Sequence, residues 1–182
     1  EVAVRLDMHL PVLAVTLFAA ALLQDLIPVT PSFPVKFVFL TAVALHAALT
    51  KPLPAALTAA VWAGGLTDAL GGLPLLCTAG FLLVAFVLVR LMHRVFLEAT
   101  VFQGMLLVAA AAVLQMVWTR LWVGTGQPFF TWHTLKLLLY AVPAGMTAGV
   151  AGFAMCGLTD RVSGIVKPVK EGNGILWAET DR

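Results

Sequence analysis

Long apolar runs, separated by short polar breaks, organise this chain. Six such runs cover residues 8–27, 33–49, 54–70, 74–92, 101–121 and 135–158. Prolines, glycines and charged residues mark the breaks, and each proline fixes the backbone and disfavours helix at the residue before it. At about 20 residues per membrane-spanning helix, the chain has room for six spans and short loops. The pattern predicts an all-α membrane protein, a six-transmembrane-helix bundle in one domain over 1–160, followed by a cytoplasmic tail over 161–182.

Composition supports the same class. The chain is 61% hydrophobic and 11% charged, with a mean hydropathy of +1.00, whereas a soluble domain carries roughly 25% charged residues. The net charge of +2 is small, and the basic residues are scattered near the ends of the runs, which argues against nucleic acid as a partner. Cys77 and Cys156 both lie inside apolar runs, so neither a disulfide framework nor a zinc site is expected.

The third run carries small residues spaced four apart and ends in an acid. Ala56, Ala60, Gly64 and Asp68 form one ridge on a helix, and small residues allow close approach of a second helix in lipid. Gly65 continues the small-residue pattern, and Gly71 and Gly72 end the helix. Two interpretations of Asp68 stay open. It is either a carboxylate at the membrane surface beside a turn, or a polar contact that fixes the packing of helices or of a partner.

The sixth run is the richest in small residues. Gly145 and Gly149 form a G-x-x-x-G pattern, and a second row lies beside it: Ala144, Ala148, Gly152 and Cys156. Two adjacent rows of this kind predict a broad, flat face for close helix contact.

The basic residues predict the orientation of the six spans. One side of the membrane receives eight of them: Arg5, Lys51, Arg90, Arg94, Arg161, Lys167, Lys170 and Arg182. The other side receives three: Lys36, Arg120 and Lys136. The positive-inside rule then places both termini in the cytoplasm. Asp25, Asp68, Arg120 and Lys136 are therefore expected near the outer face.

Arg90 and Arg94 form a basic collar at the predicted cytoplasmic end of the fourth run. Such a collar indicates either side chains that extend to lipid headgroups or a docking surface for a cytoplasmic partner. Membrane lipids are partners under the first interpretation.

No motif indicates catalysis, a cofactor or a metal. The four histidines lie on different segments without the H-x-x-x-H spacing of a zinc-binding helix, and the chain has no G-x-S-x-G or Walker glycine loop. Asp25 and Asp68 could meet at the outer face, but a catalytic carboxylate pair is one arrangement among many. We therefore expect no enzyme, no catalytic residue, no cofactor and no metal site.

The run from Gly64 to Leu75, followed by Ala79 and an apolar helix that ends at Val89–Leu91, resembles the MreD family of bacterial rod shape-determining membrane proteins. The family pattern is an apolar helix with a Gly-Leu-x-x-Asp core, a glycine turn and a second helix with a basic end. This chain has Leu73-Pro74 where the family commonly has Leu-Gly. The resemblance implies a non-enzymatic scaffold of the cell-elongation (rod) complex in the bacterial inner membrane. The implied partners are MreC, RodA with its class B penicillin-binding protein, and the MreB cytoskeleton.

The resemblance also implies a fold similar to the substrate-binding subunits of energy-coupling-factor vitamin transporters, and such a subunit is the alternative function. Those subunits typically carry an Ala-x-x-x-Ala contact in their first helix. The alanines of the first run are Ala14, Ala19, Ala20 and Ala21, none of them four apart, which counts against that alternative.

The charge distribution yields a topology test. We expect a reporter fused after Arg182, or within 90–98, to report the cytoplasm, and one fused near Gly124–Gln127 to report the outside, because eight basic residues lie on the first side and three on the second. Paired phosphatase and fluorescent-protein fusions measure this. A periplasmic signal from the C-terminal fusion would exclude the six-span topology.

Overall fold

The structure, a computed structural model, describes residues 2–29, 34–74, 76–92, 101–124 and 131–162, with the backbone alone at 2–9, 101 and 162. Within these ranges the chain forms six helices and no strand. They are α1 (Val2–Leu26), α2 (Phe39–Thr50), α3 (Leu53–Gly71), α4 (Cys77–Met92), α5 (Val101–Val123) and α6 (Trp132–Val162). The prediction of an all-helical chain with six helices is confirmed.

Among the described residues, three helices are long and apolar enough to cross a membrane: Leu53–Gly71, Phe102–Val123 and Trp132–Arg161. Three shorter segments are apolar as well: Leu10–Leu26, Phe39–Thr50 and Cys77–Met92. The bundle is therefore compatible with a membrane protein. That all six helices span stays a prediction.

Several helix ends differ from the ends of the apolar runs. The second run begins at residue 33, but 34–38 are not helical and α2 starts at Phe39, beyond the conformational restriction of Pro34. The fourth run begins at Pro74, whereas α4 starts at Cys77 after a turn in which Leu76 has φ +71°. The predicted tail lies outside the described residues from 163 onward, and so does Arg94.

The shortest helix, α2, lies at the centre of the bundle. All its residues from Phe39 to Ala48 are buried, and it contacts each of the other five helices. Those five form a closed ring around it, in the order α1, α3, α4, α5, α6 and back to α1. Within the described residues no other pair of helices is in contact. A helix that is apolar on every side suits such a position, because it has no face turned to solvent or lipid.

Glycines sit where neighbouring helices approach most closely. A β-carbon on Gly145 would lie 2.6 Å from the Cα of Ala109, and one on Gly149 would lie 2.8 Å from the Cα of Met105. The small-residue face of α6 therefore packs against α5, and Gly152 on the same helix packs against Ala42 of α2.

On α3, Gly64 packs against the backbone of Ala79 on α4. The other members of its ridge, Ala56, Ala60 and Asp68, are buried with it. Gly65 faces open space instead, so two adjacent glycines have different surroundings.

This contrast supports a matched pair of variants. An alanine in a helix interior is more stabilising than a glycine by about 1 kcal/mol. Gly65→Ala should show this increase in stability, because nothing lies within 4 Å of the added carbon. The free energy of unfolding of Gly64→Ala should be about 1–3 kcal/mol lower than that of Gly65→Ala, because the added β-carbon meets the Ala79 backbone. Equilibrium unfolding of the two purified variants measures the difference, and equal stabilities would contradict the close packing of α3 on α4.

Candidate functional site

Polar side chains of the bundle gather at its two ends. At one end the C-terminus of α3 meets the N-terminus of α4, and at the other the C-terminal ends of α2, α4 and α6 meet. We call these the Asp68 site (Asp68, Cys77, Thr78 and Trp118) and the Lys51 cluster (Lys51, Arg90 and Asp160).

Asp68 lies in the bundle interior. Its side chain is on the last turns of α3 and is 1% exposed. Both carboxylate oxygens accept the backbone N–H of Thr78, at 2.8 and 3.1 Å. Thr78 is the second residue of α4, and the first N–H groups of a helix have no partner within it. Asp68 thus caps α4 from the preceding helix, and this polar contact between helices, not a surface carboxylate, is what the structure places there.

The turn after α3 is built around the same residue. Gly72 adopts the left-handed conformation at φ +62° and donates its N–H to the carbonyl of Asp68, and Leu73 donates to that carbonyl as well at 3.0 Å. Pro74 follows, and its carbonyl accepts the N–H of Cys77 at 3.1 Å. Leu73-Pro74, the departure from the family pattern, therefore takes part in the turn that leads into α4.

Trp118 ties α5 to the start of α4. Its indole N–H donates to the carbonyl of Cys77 at 2.9 Å, and its ring lies against Phe81 and Trp122. Trp118 belongs to a group of aromatic residues on both sides of the loop between the fifth and sixth runs, a pattern typical of an interfacial belt. Trp122 and Trp132 are exposed, as a belt requires, but Trp118 is half-buried and contacts the site.

The other charged residues expected near Asp68 do not reach it. Asp25 and Lys136 are exposed, and Arg120 is half-buried. The ammonium of Lys136 lies over the Trp132 ring, 5.6 Å from its centroid. Among the described residues, the partner of Asp68 is therefore a backbone N–H that follows the glycine turn and not a basic side chain.

The Lys51 cluster joins three helix ends. Lys51 follows the last residue of α2, and its ammonium lies 2.5 Å from a carboxylate oxygen of Asp160 on α6. Both side chains are nearly buried, at 9% and 7% exposure. Arg90, in the last turn of α4, donates to the carbonyl of Lys51 at 2.5 Å, and its guanidinium lies over the Phe86 ring. Cations at helix C-termini are favoured by the helix dipole.

The sequence pattern does not predict this cluster. It predicts that Arg90 extends outward to headgroups or a docking partner, and that Lys51 belongs to a polar break between two apolar runs. The one usable signal is that Lys51 and Asp160 carry opposite charges at the same predicted side of the membrane. Arg94, the other member of the predicted collar, lies outside the described residues.

Further polar contacts lie between α2 and its neighbours. Gln24 of α1 accepts the N–H of Leu40 near the start of α2 at 3.2 Å. Thr41 of α2 donates to the side chain of Gln115 on α5 at 2.8 Å. In the part of the chain that the structure describes, no three His, Cys, Asp or Glu side chains are grouped to hold a metal ion.

Comparison with known proteins finds no matching family model, curated protein or solved structure.

The Lys51–Asp160 pair can be tested with a double-mutant cycle. Lys51→Met or Asp160→Leu alone breaks a nearly buried ion pair, which costs about 3–5 kcal/mol, whereas removing both charges together is often close to neutral. The double variant should therefore lose clearly less free energy of unfolding than the two single variants lose together. Equilibrium unfolding measures the cycle, with exposed Lys36→Met as the control for loss of a lysine. Additive effects would contradict the pair.

Proposed function

We propose that this protein is a non-enzymatic membrane scaffold of the bacterial cell-elongation (rod) complex, with six spans in the inner membrane and both termini in the cytoplasm. The observation that carries the proposal is the role of Asp68. It is the acid of the stretch that resembles the MreD family, and it is also the residue that joins α3 to α4. The motif thus corresponds to a defined structural device, a helix hairpin capped by its own acid.

The way the bundle uses its polar groups supports a scaffold. Asp68, Lys51 and Arg90 each bond to another helix end of the same chain, so these charges position helices. The centre of the ring is filled by the buried side chains of α2. A protein whose polar groups hold its own helices in place presents a rigid outer surface on which partner helices can assemble.

A groove on the outside of the bundle bears on the alternative function. It lies between α1 and α3, has a volume of about 360 Å³, and is lined almost entirely by apolar side chains, among them Leu10, Leu17 and Trp62. Small-molecule sites combine an apolar lining with a few placed polar groups. This lining suits a vitamin with polar substituents poorly, so the groove gives the transporter subunit no support.

The proposed partners are MreC, RodA with its class B penicillin-binding protein, and the MreB cytoskeleton, with membrane lipids around the bundle. Gly65 is a predicted packing residue in the interior of α3, and no atom of another described helix lies within 4 Å of the position of its β-carbon. We place a partner helix against this face of α3, because a small residue there allows close approach.

Affinity purification from membranes of a rod-shaped bacterium tests the proposal. We expect the tagged protein to retain MreC and RodA, identified by mass spectrometry, and Gly65→Leu to retain several-fold less MreC, because the added side chain blocks close approach. Gly157→Leu is the matched control, since Gly157 also faces open space.

Two outcomes carry different conclusions. Retention of an ATPase pair with a coupling subunit would overturn the scaffold in favour of the transporter subunit. Retention of MreC and RodA that Gly65→Leu leaves unchanged would keep the scaffold and place its partner contact elsewhere.

A further inference from the structure

We infer that Asp68 and Thr78 form part of a buried binding site for a monovalent metal cation, between the end of α3 and the start of α4. The inference concerns a ligand of the bundle itself and stands apart from the scaffold function.

The carboxylate of Asp68 is compensated for its burial by the start of α4 and by no basic side chain of the described residues. It is 1% exposed, and in the part of the chain that the structure describes its two oxygens share one donor, the N–H of Thr78. A carboxylate offers about four acceptor positions. Among the described residues no basic side chain pairs with it, and a buried charge is costly without a counter-charge.

The second observation is the hydroxyl of Thr78. This side chain is fully buried, and its Oγ1 has no hydrogen-bond partner among the described residues. It belongs to the residue whose backbone N–H both carboxylate oxygens accept, so the hydroxyl and the carboxylate are carried by two residues in direct contact. Buried polar atoms without a protein partner are rare in native proteins, and a bound ion or an ordered water often occupies the space beside them.

Two polar groups of neighbouring residues are already engaged in other hydrogen bonds. The hydroxyl of Thr67 donates to the carbonyl of Ala63 at 2.7 Å, and the indole N–H of Trp118 donates to the carbonyl of Cys77. None of these groups supplies a positive charge to Asp68. A cation shared by the carboxylate and the Thr78 hydroxyl would give both groups a partner.

The donor set indicates the kind of cation. Carboxylate and hydroxyl oxygens are hard ligands, which suit hard cations and not soft transition metals. One carboxylate balances one positive charge, whereas sites for calcium usually contain several carboxylates. The C-terminal end of α3 carries partial negative charge, which favours a cation, and the start of α4 carries partial positive charge, which opposes it, so the carboxylate supplies the main attraction. Sodium is therefore the appropriate probe.

Thermal unfolding of the purified full chain tests the site. Unfolding is followed by tryptophan fluorescence in NaCl, KCl and choline chloride at equal ionic strength. We expect a saturable rise in the wild-type melting temperature with sodium over choline, by about 3–6 °C at roughly ten times the dissociation constant. Asp68→Asn should abolish the rise.

Thr78→Val should shift saturation to higher sodium, because it keeps the side-chain shape and removes the hydroxyl. The matched control is Thr58→Val, since the Thr58 hydroxyl bonds within its own helix to the carbonyl of Pro54; it should leave the sodium response unchanged.

Three results would overturn the inference. Equal melting temperatures in all three salts would indicate a buried water only. A response to pH with none to sodium would indicate a proton on the carboxyl group. A sodium response that survives Asp68→Asn would place the cation elsewhere. If Asp68→Asn fails to fold, the binding of radioactive sodium is measured on the wild type and on Thr78→Val instead. Equal binding by these two proteins would overturn the inference.

Discussion

Burial of α2 from Phe39 to Ala48 is the constraint on which the rest of the structure depends. A helix enclosed by five others over most of its length has little access to water, so neighbouring helices bond to the polar groups at both of its ends. Gln24 of α1 accepts an N–H at its start, and Arg90 of α4 donates to the carbonyl of Lys51 at its end. The start of α4 follows the same principle, because Asp68 of α3 caps it. Several helix ends of this bundle are thus capped by a side chain of a neighbouring helix. Because of this, the hydrogen bonds at these ends depend on how the helices pack.

Ring closure around α2 depends on small residues at the contacts. In lipid, helices associate through close packing and polar contacts, because apolar burial drives association only weakly there. Gly64 allows α3 to approach α4, and Gly145 and Gly149 allow α6 to approach α5. Gly152 serves the contact between the ring and the central helix. A side chain at any of these positions would force two backbones apart, and the ring would then fit the central helix less closely.

The sequence predicts the elements of the fold better than their arrangement. Apolar run length yields six helices, and a spacing of four marks the glycine rows of α3 and α6, because both signals are local. The central position of α2 has no local signal, since its run is as apolar as its neighbours. Lys51 and Asp160 lie 109 positions apart, and only the folded bundle brings them together. The partner of Asp68 is a backbone N–H, a donor that every residue but proline carries and that no motif can mark.

The length of α2 has a consequence for how the protein enters a bilayer during synthesis. Its 12 residues extend about 18 Å, whereas the hydrocarbon core is about 30 Å thick. A helix this short is a poor substrate for insertion by itself. Only Lys51 and Pro52 separate it from α3, which is long and apolar enough to cross, so the two are suited to enter as one hairpin. Its final enclosure then waits for α5 and α6, which leave the ribosome after it.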